Sequence, residues 1–204
     1  MKRVASILAG VLLAACGGNV ATVTTARYDF GGRAAAGAAV WPAGRMPIAA
    51  VDVQASPWLA GPAMHYRLAF AEPLQRQSYA GSRWAAAPAE LLEAFLKQRI
   101  VFAQKDWSGA GCRLQLVLNE LEQRFDAPGS SQVVLEVQAL LTPARGPDVL
   151  SRRAFLIRQP APAADARGGA EAARDAVQVF ADDIGRWLAE VEREKPAVAE
   201  RCRT

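Results

Sequence analysis

Three cysteines, a single histidine and a few adjacent hydroxyl or carboxylate pairs are the residues of this chain with chemistry to offer. Cys16 sits in the stretch LLAACGGN, directly after an apolar run and before two glycines. A thiol there could be a core residue, half of a disulfide, a metal ligand or an attachment point. His65 falls in the middle of a predicted strand, and acid–base work would require a partner positioned beside it. The sequence offers none, so His65 reads as structural. Ser130-Ser131 falls in a predicted turn, where serine is favoured for its hydrogen bonds, and no serine is framed as G-x-S-x-G. Asp182-Asp183 lies on a predicted helix, where adjacent residues do not share a face, and reads as a solvated edge. No Cys/His cluster has zinc spacing and no phosphate-binding loop is present. These residue types point away from an enzyme, and no cofactor is expected.

Cys16 is the exception. Met1-Lys2-Arg3 gives a positive start, and residues 4–15 have Ser6 as their only polar member. That run is short of the ~20 apolar residues a membrane-spanning helix needs. Charge, short apolar run and small residues together make a secretory leader. Leu13-Ala14-Ala15-Cys16 resembles the lipobox of bacterial lipoproteins. The resemblance implies a diacylglycerol on the Cys16 sulfur, cleavage before it and acylation of the new amino group. More than one acyl chain is what stable anchoring requires. Residues 1–15 are thus expected to be a lipoprotein signal peptide and residues 16–25 the lipidated cysteine and its tether. The alternative is an ordinary leader with Cys16 as a plain mature residue. Gly17, in place of the aspartate that retains lipoproteins in the inner membrane, implies the periplasmic face of the outer membrane.

If Cys16 carries lipid, Cys112 and Cys202 remain as an even pair in an oxidising compartment. A disulfide would staple the C-terminal tail to the sheet, and two free buried thiols are the alternative. Removing Lys2 and Arg3 leaves 24 − 2 = 22 basic against 20 acidic side chains, a formal charge of +2. No basic block with interleaved aromatics occurs, which excludes nucleic acid as an expected partner. Hydrophobic residues make up 51% of the chain, enough for a sizeable core.

Alternation and turn residues set out the elements. Residues 26–32 read as a short strand stopped by glycines, and residues 33–47, rich in Ala, Gly and Pro, as an irregular loop. Strands are expected at residues 48–54 and 64–70, joined by the turn-rich SPWLAGP, and residues 76–80 could return as a hairpin partner. A helix is predicted over residues 87–105, with Pro88 in its first turn. Three strands follow. In the first, Leu114, Leu116 and Leu118 share a face before the parity changes to Leu121 and Phe125, which predicts a bulge near Asn119. A long amphipathic helix over residues 169–194 closes the pattern. The expected fold class is α+β: a mixed, mostly antiparallel sheet covered by two main helices, in a single domain over residues 26–204.

Three stretches carry a family resemblance. VDVQASPWLAGPAMHYRLAF (residues 51–70) has a strand, a Pro/Leu turn and a strand bearing Tyr66-Arg67. YAGSRWAAAPAELLEAFLKQRI (residues 79–100) has Arg83-Trp84 leading into an apolar helix. The third is the long C-terminal helix after three strands. With the LAAC tetrad, this pattern resembles the ABC-type transport auxiliary lipoprotein family, including its PqiC-type members. The resemblance implies a non-catalytic lipoprotein working beside a mammalian cell entry (MCE) domain protein and an ABC permease and ATPase, in movement of phospholipid or other hydrophobic molecules across the Gram-negative periplasm. Phospholipid is thereby a further candidate partner and a homo-oligomer a candidate state. The resemblance supplies no ligand-binding residue. Alternatives from other classes are an accessory lipoprotein of envelope assembly, in cell-wall synthase activation or outer-membrane assembly, and an anchored hydrolase.

The residues themselves suggest where a partner could touch. Trp58 and Leu59 sit between turn-formers and Trp84 precedes the helix. Large apolar side chains in exposed connections can anchor a partner. The alternative is that they cap the core at the sheet ends.

Overall fold

The computed structural model describes residues 24–32, 38–42, 45–102, 110–146 and 148–203. The expected leader, Cys16 and most of the tether lie outside these residues, as do residues 103–105 of the predicted helix.

The elements are β1 (Ala26–Tyr28), β2 (Ile48–Ala55), a 3-10 turn (Pro57–Leu59), β3 (Ala63–Leu68), β4 (Gln77–Trp84), α1 (Pro88–Arg99), β5 (Cys112–Ala127), β6 (Ser130–Pro143), β7 (Ser151–Pro160), α2 (Ala166–Glu194) and α3 (Pro196–Arg203). The strands form a mixed seven-stranded sheet, with β1-β4-β3-β5-β6-β7 in order and β2 also on β5. Its two longest ladders, β5 with β6 and β6 with β7, are antiparallel. The fold is the expected α+β class in one domain.

β5 is the axis of the sheet, about 53 Å long at 3.3 Å per residue. Its residues Leu114, Leu116 and Leu118 are buried while Arg113 and Gln115 face solvent. The register to β6 shifts between Leu118 and Glu120, so the bulge lies where the parity change predicts it. A two-residue turn, Pro128-Gly129, joins β5 to β6, and Gly129 has φ +77°, the value a type II turn requires after proline.

β2 and β3 share one edge of β5. β2 runs parallel to it over Cys112 to Leu118, and β3 runs parallel over Gln123 to Phe125. The two short strands are one interrupted strand, and residues 56–62 loop out opposite the bulge. β3 is shorter than the alternation suggests: it ends at Leu68, and Phe70 lies exposed in the following turn. β4 is longer, reaching Trp84.

The helices cover one face. α2 lays Val177, Phe180, Ile184 and Leu188, all fully buried, over β6 and β7. Phe155 of β7 meets Phe180 edge-on at 5.2 Å. The N-terminal half of α2 is rich in alanine, and at Gly169 an added Cβ would lie 2.1 Å from Gln123 Oε1, so the backbone of the helix rests on β5 there. Asp165 caps the helix by accepting from Gly168 N at 2.7 Å. α1 packs on β2 and stops earlier than its apolar spacing suggests. Ile100 is extended because it bridges to Trp41 of the preceding loop, whose ring is 2% exposed. That loop, read as irregular, thus supplies core. After α2, a short α3 that periodicity does not reveal returns Cys202 to the start of β5. The two sulfurs are joined and the Cα atoms of Cys112 and Cys202 lie 4.9 Å apart.

Candidate functional site

The sheet face away from the helices carries the most organised polar cluster outside the core. Glu120 and Glu122 of β5 stand opposite Glu136 and Val134 of β6, which alternate with the buried Val133, Leu135 and Val137. Both carboxylates therefore point to the open face. Arg67 of β3 donates from Nε to both oxygens of Glu122, at 3.0 and 3.1 Å, and from Nη1 to Pro73 O at 3.0 Å. Arg76 forks onto Glu120, with Nη1 at 2.7 Å and Nη2 at 2.5 Å, and approaches Glu122 at 3.6 Å. Two guanidiniums and two carboxylates thus form one chain of charge-assisted bonds. The hydrogen bond to Glu120 is the main cause that holds Arg76 above the ordinary arginine range, against the opposing effect of burial.

Trp58 sits beside this cluster. Its ring lies 5.8 Å from the Arg76 guanidinium and is 52% exposed. Its backbone is fixed. Pro57 restricts the turn, Leu59 N donates to Ser56 O at 2.8 Å, and Trp58 O lies 2.9 Å from His65 Nε2. Leu59 is fully buried and nails the turn to the core. The arrangement holds an aromatic ring out on a rigid turn, stacked on a cation that is itself braced.

Of the three sequence-predicted contact residues, only Trp58 is at the surface. Leu59 is buried, and Trp84 is 5% exposed and packs edge-on against Phe30 at 5.3 Å. Both belong to the core: β4 extends through Trp84 instead of ending before it, and Leu59 closes the 3-10 turn with its side chain buried. His65 is occupied by the Trp58 carbonyl. Asp182 is not merely a solvated edge: it accepts from Nη2 of the buried Arg99 at 2.7 Å. Cys112 and Cys202 are brought together at the sheet end opposite the β5–β6 turn.

The Tyr66-Arg67 pair divides between the two faces. Arg67 joins the open-face cluster. Tyr66 donates to Gln77 Oε1 at 2.6 Å and packs on Tyr79, ring centroids 4.7 Å apart. Tyr79 donates to Gln123 Oε1 at 2.9 Å, and Gln123 donates to Ser131 Oγ at 2.8 Å. The cavity beside them, bounded by Met64, Trp84 and Gly169, measures about 10 Å³, room for one water and far too little for an acyl chain. Burial, then the neighbouring Tyr66 and Asp165, push the Tyr79 phenol up to about 12. Its folded value lies above the unfolded one, so its contribution to stability is complete below pH 10 and is lost as pH rises through about 12. We expect one tyrosine in a phenolate absorbance titration to ionise last, and Tyr79→Phe to remove that step alone. A titration unchanged by Tyr79→Phe would contradict the assignment.

Among the described residues, no group of three or more His, Cys, Asp or Glu is arranged to hold a metal ion, and no helix is long and apolar enough to cross a membrane. The apolar stripe of α2 is core.

Residues 33–185 match a family model described as the ABC-type transport auxiliary lipoprotein component. The fold is similar to the crystal structure of protein XCC0632 from Xanthomonas campestris, with TM-score 0.63 and 18% identity, covering 78% of this chain and 96% of that one. It is also similar to the crystal structure of an uncharacterized protein, with TM-score 0.59 and 14% identity, covering 81% and 99%. At those identities the two structures speak for the fold alone. No curated protein matches the sequence.

Proposed function

This chain belongs to the ABC-type transport auxiliary lipoprotein component family, and on that premise we propose that it is a non-catalytic docking lipoprotein of an MCE/ABC-type lipid transport system. In this reading, acyl chains on Cys16 hold it at the periplasmic face of the outer membrane, and the folded domain receives the MCE-domain protein that the ABC permease and ATPase serve. The observation that carries the reading is the family match over residues 33–185. The rigid presentation of Trp58 beside the Arg76–Glu120 fork supports a protein contact, since aromatic and arginine side chains are the commonest anchors of interfaces.

Two experiments test this. Cys16→Ala is expected to abolish incorporation of radioactive fatty acid and to release the protein from the outer-membrane fraction. Equal label and equal recovery in mutant and wild type would end the anchor reading. Trp58→Ala is expected to leave thermal unfolding within about 0.5 kcal/mol of wild type, as for most surface substitutions. The same change is expected to weaken capture of the MCE-domain partner by about 2 kcal/mol, the loss of a central aromatic anchor. Unchanged capture, or co-purification with cell-wall synthases or outer-membrane assembly subunits in place of the MCE protein, would overturn the docking assignment.

A further inference from the structure

The loop of residues 69–76, between β3 and β4, holds two large apolar side chains in solvent: Leu74 is 93% exposed and Phe70 46%. Single exposed apolar residues are ordinary. What distinguishes these is the backbone that carries them. Ala69 N donates to Phe125 O, Ala71 N and Glu72 N both donate to Leu68 O, and Gln75 N donates to Glu72 O, at 2.7 to 3.1 Å. Arg67 Nη1 holds Pro73 O at 3.0 Å. A loop braced at this many points presents Leu74 as a fixed projection.

The direction of the chain says what lies beyond that projection. β1 runs parallel to β4, with Ala26 opposite Ser82. The chain therefore enters β1 from the side of the N-terminal end of β4, which is the side of the 69–76 loop. From Cys16 to Ala26 is 26 − 16 = 10 residues, a span of at most about 36 Å. From Leu74 to Ser82 is 82 − 74 = 8 residues, at most about 29 Å. An acyl chain on Cys16 can thus stand level with Leu74.

We infer that the 69–76 loop is a second membrane contact, in which Leu74 and Phe70 enter the interface of the bilayer that holds the Cys16 lipid. The inference rests on the lipid-anchor reading of Cys16. It fixes the orientation of the domain: the loop end of the sheet meets the bilayer, and the end with the Cys112–Cys202 disulfide points into the periplasm. Trp58, beside the Arg76–Glu120 fork on the open face, then lies along the side of the standing sheet, accessible to a protein partner.

The test uses the full-length lipoprotein with its acyl chains, reconstituted into vesicles of phosphatidylethanolamine and phosphatidylglycerol carrying brominated acyl chains. Leu74→Cys and, separately, Val149→Cys receive an environment-sensitive thiol label. With Cys112 and Cys202 bonded and Cys16 acylated, the new thiol alone reacts. Val149 is 52% exposed and lies two residues before Ser151, the start of β7, which pairs with Leu141, itself paired with Leu114. Eleven residues of β5 separate Leu114 from Phe125 (125 − 114), so Val149 lies about 36 Å along the sheet from the loop end. The Leu74 label is expected to shift to the blue and to be quenched about twofold or more, as a group about 5–10 Å deep in the interface would be, while the Val149 label keeps its aqueous emission. Equal quenching of the two labels on protein that floats with the vesicles overturns the inference and leaves the anchor reading standing. A wild-type protein that neither floats nor carries acyl label overturns the anchor reading, and the inference with it.

Discussion

Replacing Cys202 with serine is expected to lower the unfolding free energy by about 4 kcal/mol. The bond closes a loop of 90 residues, and the constraint on the unfolded chain grows with loop length. Both sulfurs are fully buried, so the bond is shielded from reductant in the folded state. The tail it holds is also tied by Gly111 N, which donates to Cys202 O at 2.7 Å, by ion pairs of Arg201 with Asp148 and of Arg203 with Glu192, and by Ala199 in the core. For a domain of this size the loss amounts to a melting point lower by about 10 °C. Urea unfolding of wild type, Cys202→Ser and the double variant with Cys112→Ser should give equal losses for the two variants. Reductant should bring wild type to the same value and leave both variants unmoved. Wild type that melts at one temperature with and without reductant, after verified reduction, would refute the bond as a source of stability. Alkylation of both thiols in protein taken from intact periplasm would refute the bond itself.

The contrast between β5 and its partners shows what could be read before the fold was known. Alternation along β5 and β6 is a property of neighbours two residues apart. It located the buried face and even the bulge, because a bulge changes parity within one strand. The stripe of α2 was legible for the same reason. Partner choice was not. Nothing within residues 48–54 or 64–70 says that both lie parallel to one edge of β5, since that pairing joins residues more than fifty positions apart. The end of α1 was hidden likewise: the helical spacing continues to Phe102, but the bridge between Trp41 and Ile100 draws the chain into an extended path. α3 has only eight residues, too few for a periodic signal to stand out.

The open-face cluster was half legible. Turn residues around Trp58 marked a rigid connection, and a tryptophan there invited the contact reading. Trp84 reads the same way because residue type alone does not tell an aromatic at a strand end from one in a loop, and Leu59 because its turn neighbours do not say which of two adjacent apolar side chains points inward. Arg67 and Glu122 are 55 residues apart, and Arg76 and Glu120 are 44 apart. The available signal was the run Glu120-Leu121-Glu122-Gln123: carboxylates alternating with core positions just after a bulge must share the outer face, and the only open question is which cations meet them.

That arrangement separates stability from binding, and the two carboxylates can be used to show it. Glu122 is 6% exposed and lies between two guanidiniums, with Arg67 only 15% exposed. Glu122→Ala leaves Arg67 with a single carbonyl partner in a nearly buried position. The expected cost is about 3 kcal/mol, at the low end for breaking a buried pair, because the other cation keeps its own carboxylate. Arg76 stays forked onto Glu120, so Trp58 keeps its platform, and partner capture by the Glu122 variant should survive at low temperature. Glu120→Gln does the opposite. It removes the charge that orients Arg76 while Glu122 still satisfies Arg67 and stays 3.6 Å from Arg76, so the loss of stability should be smaller, about 1.5 kcal/mol, as for one hydrogen bond to a charged group. Capture should weaken together with that of Trp58→Ala, and combining the two substitutions should cost less than their sum, the mark of residues acting through one contact. Melting and capture measured side by side on Glu122→Ala, Glu120→Gln, Trp58→Ala and the Glu120–Trp58 double variant decide the matter. Fully additive effects, or a Glu120 variant that captures the partner as wild type does, would detach the cluster from the contact and leave it a structural brace of the sheet.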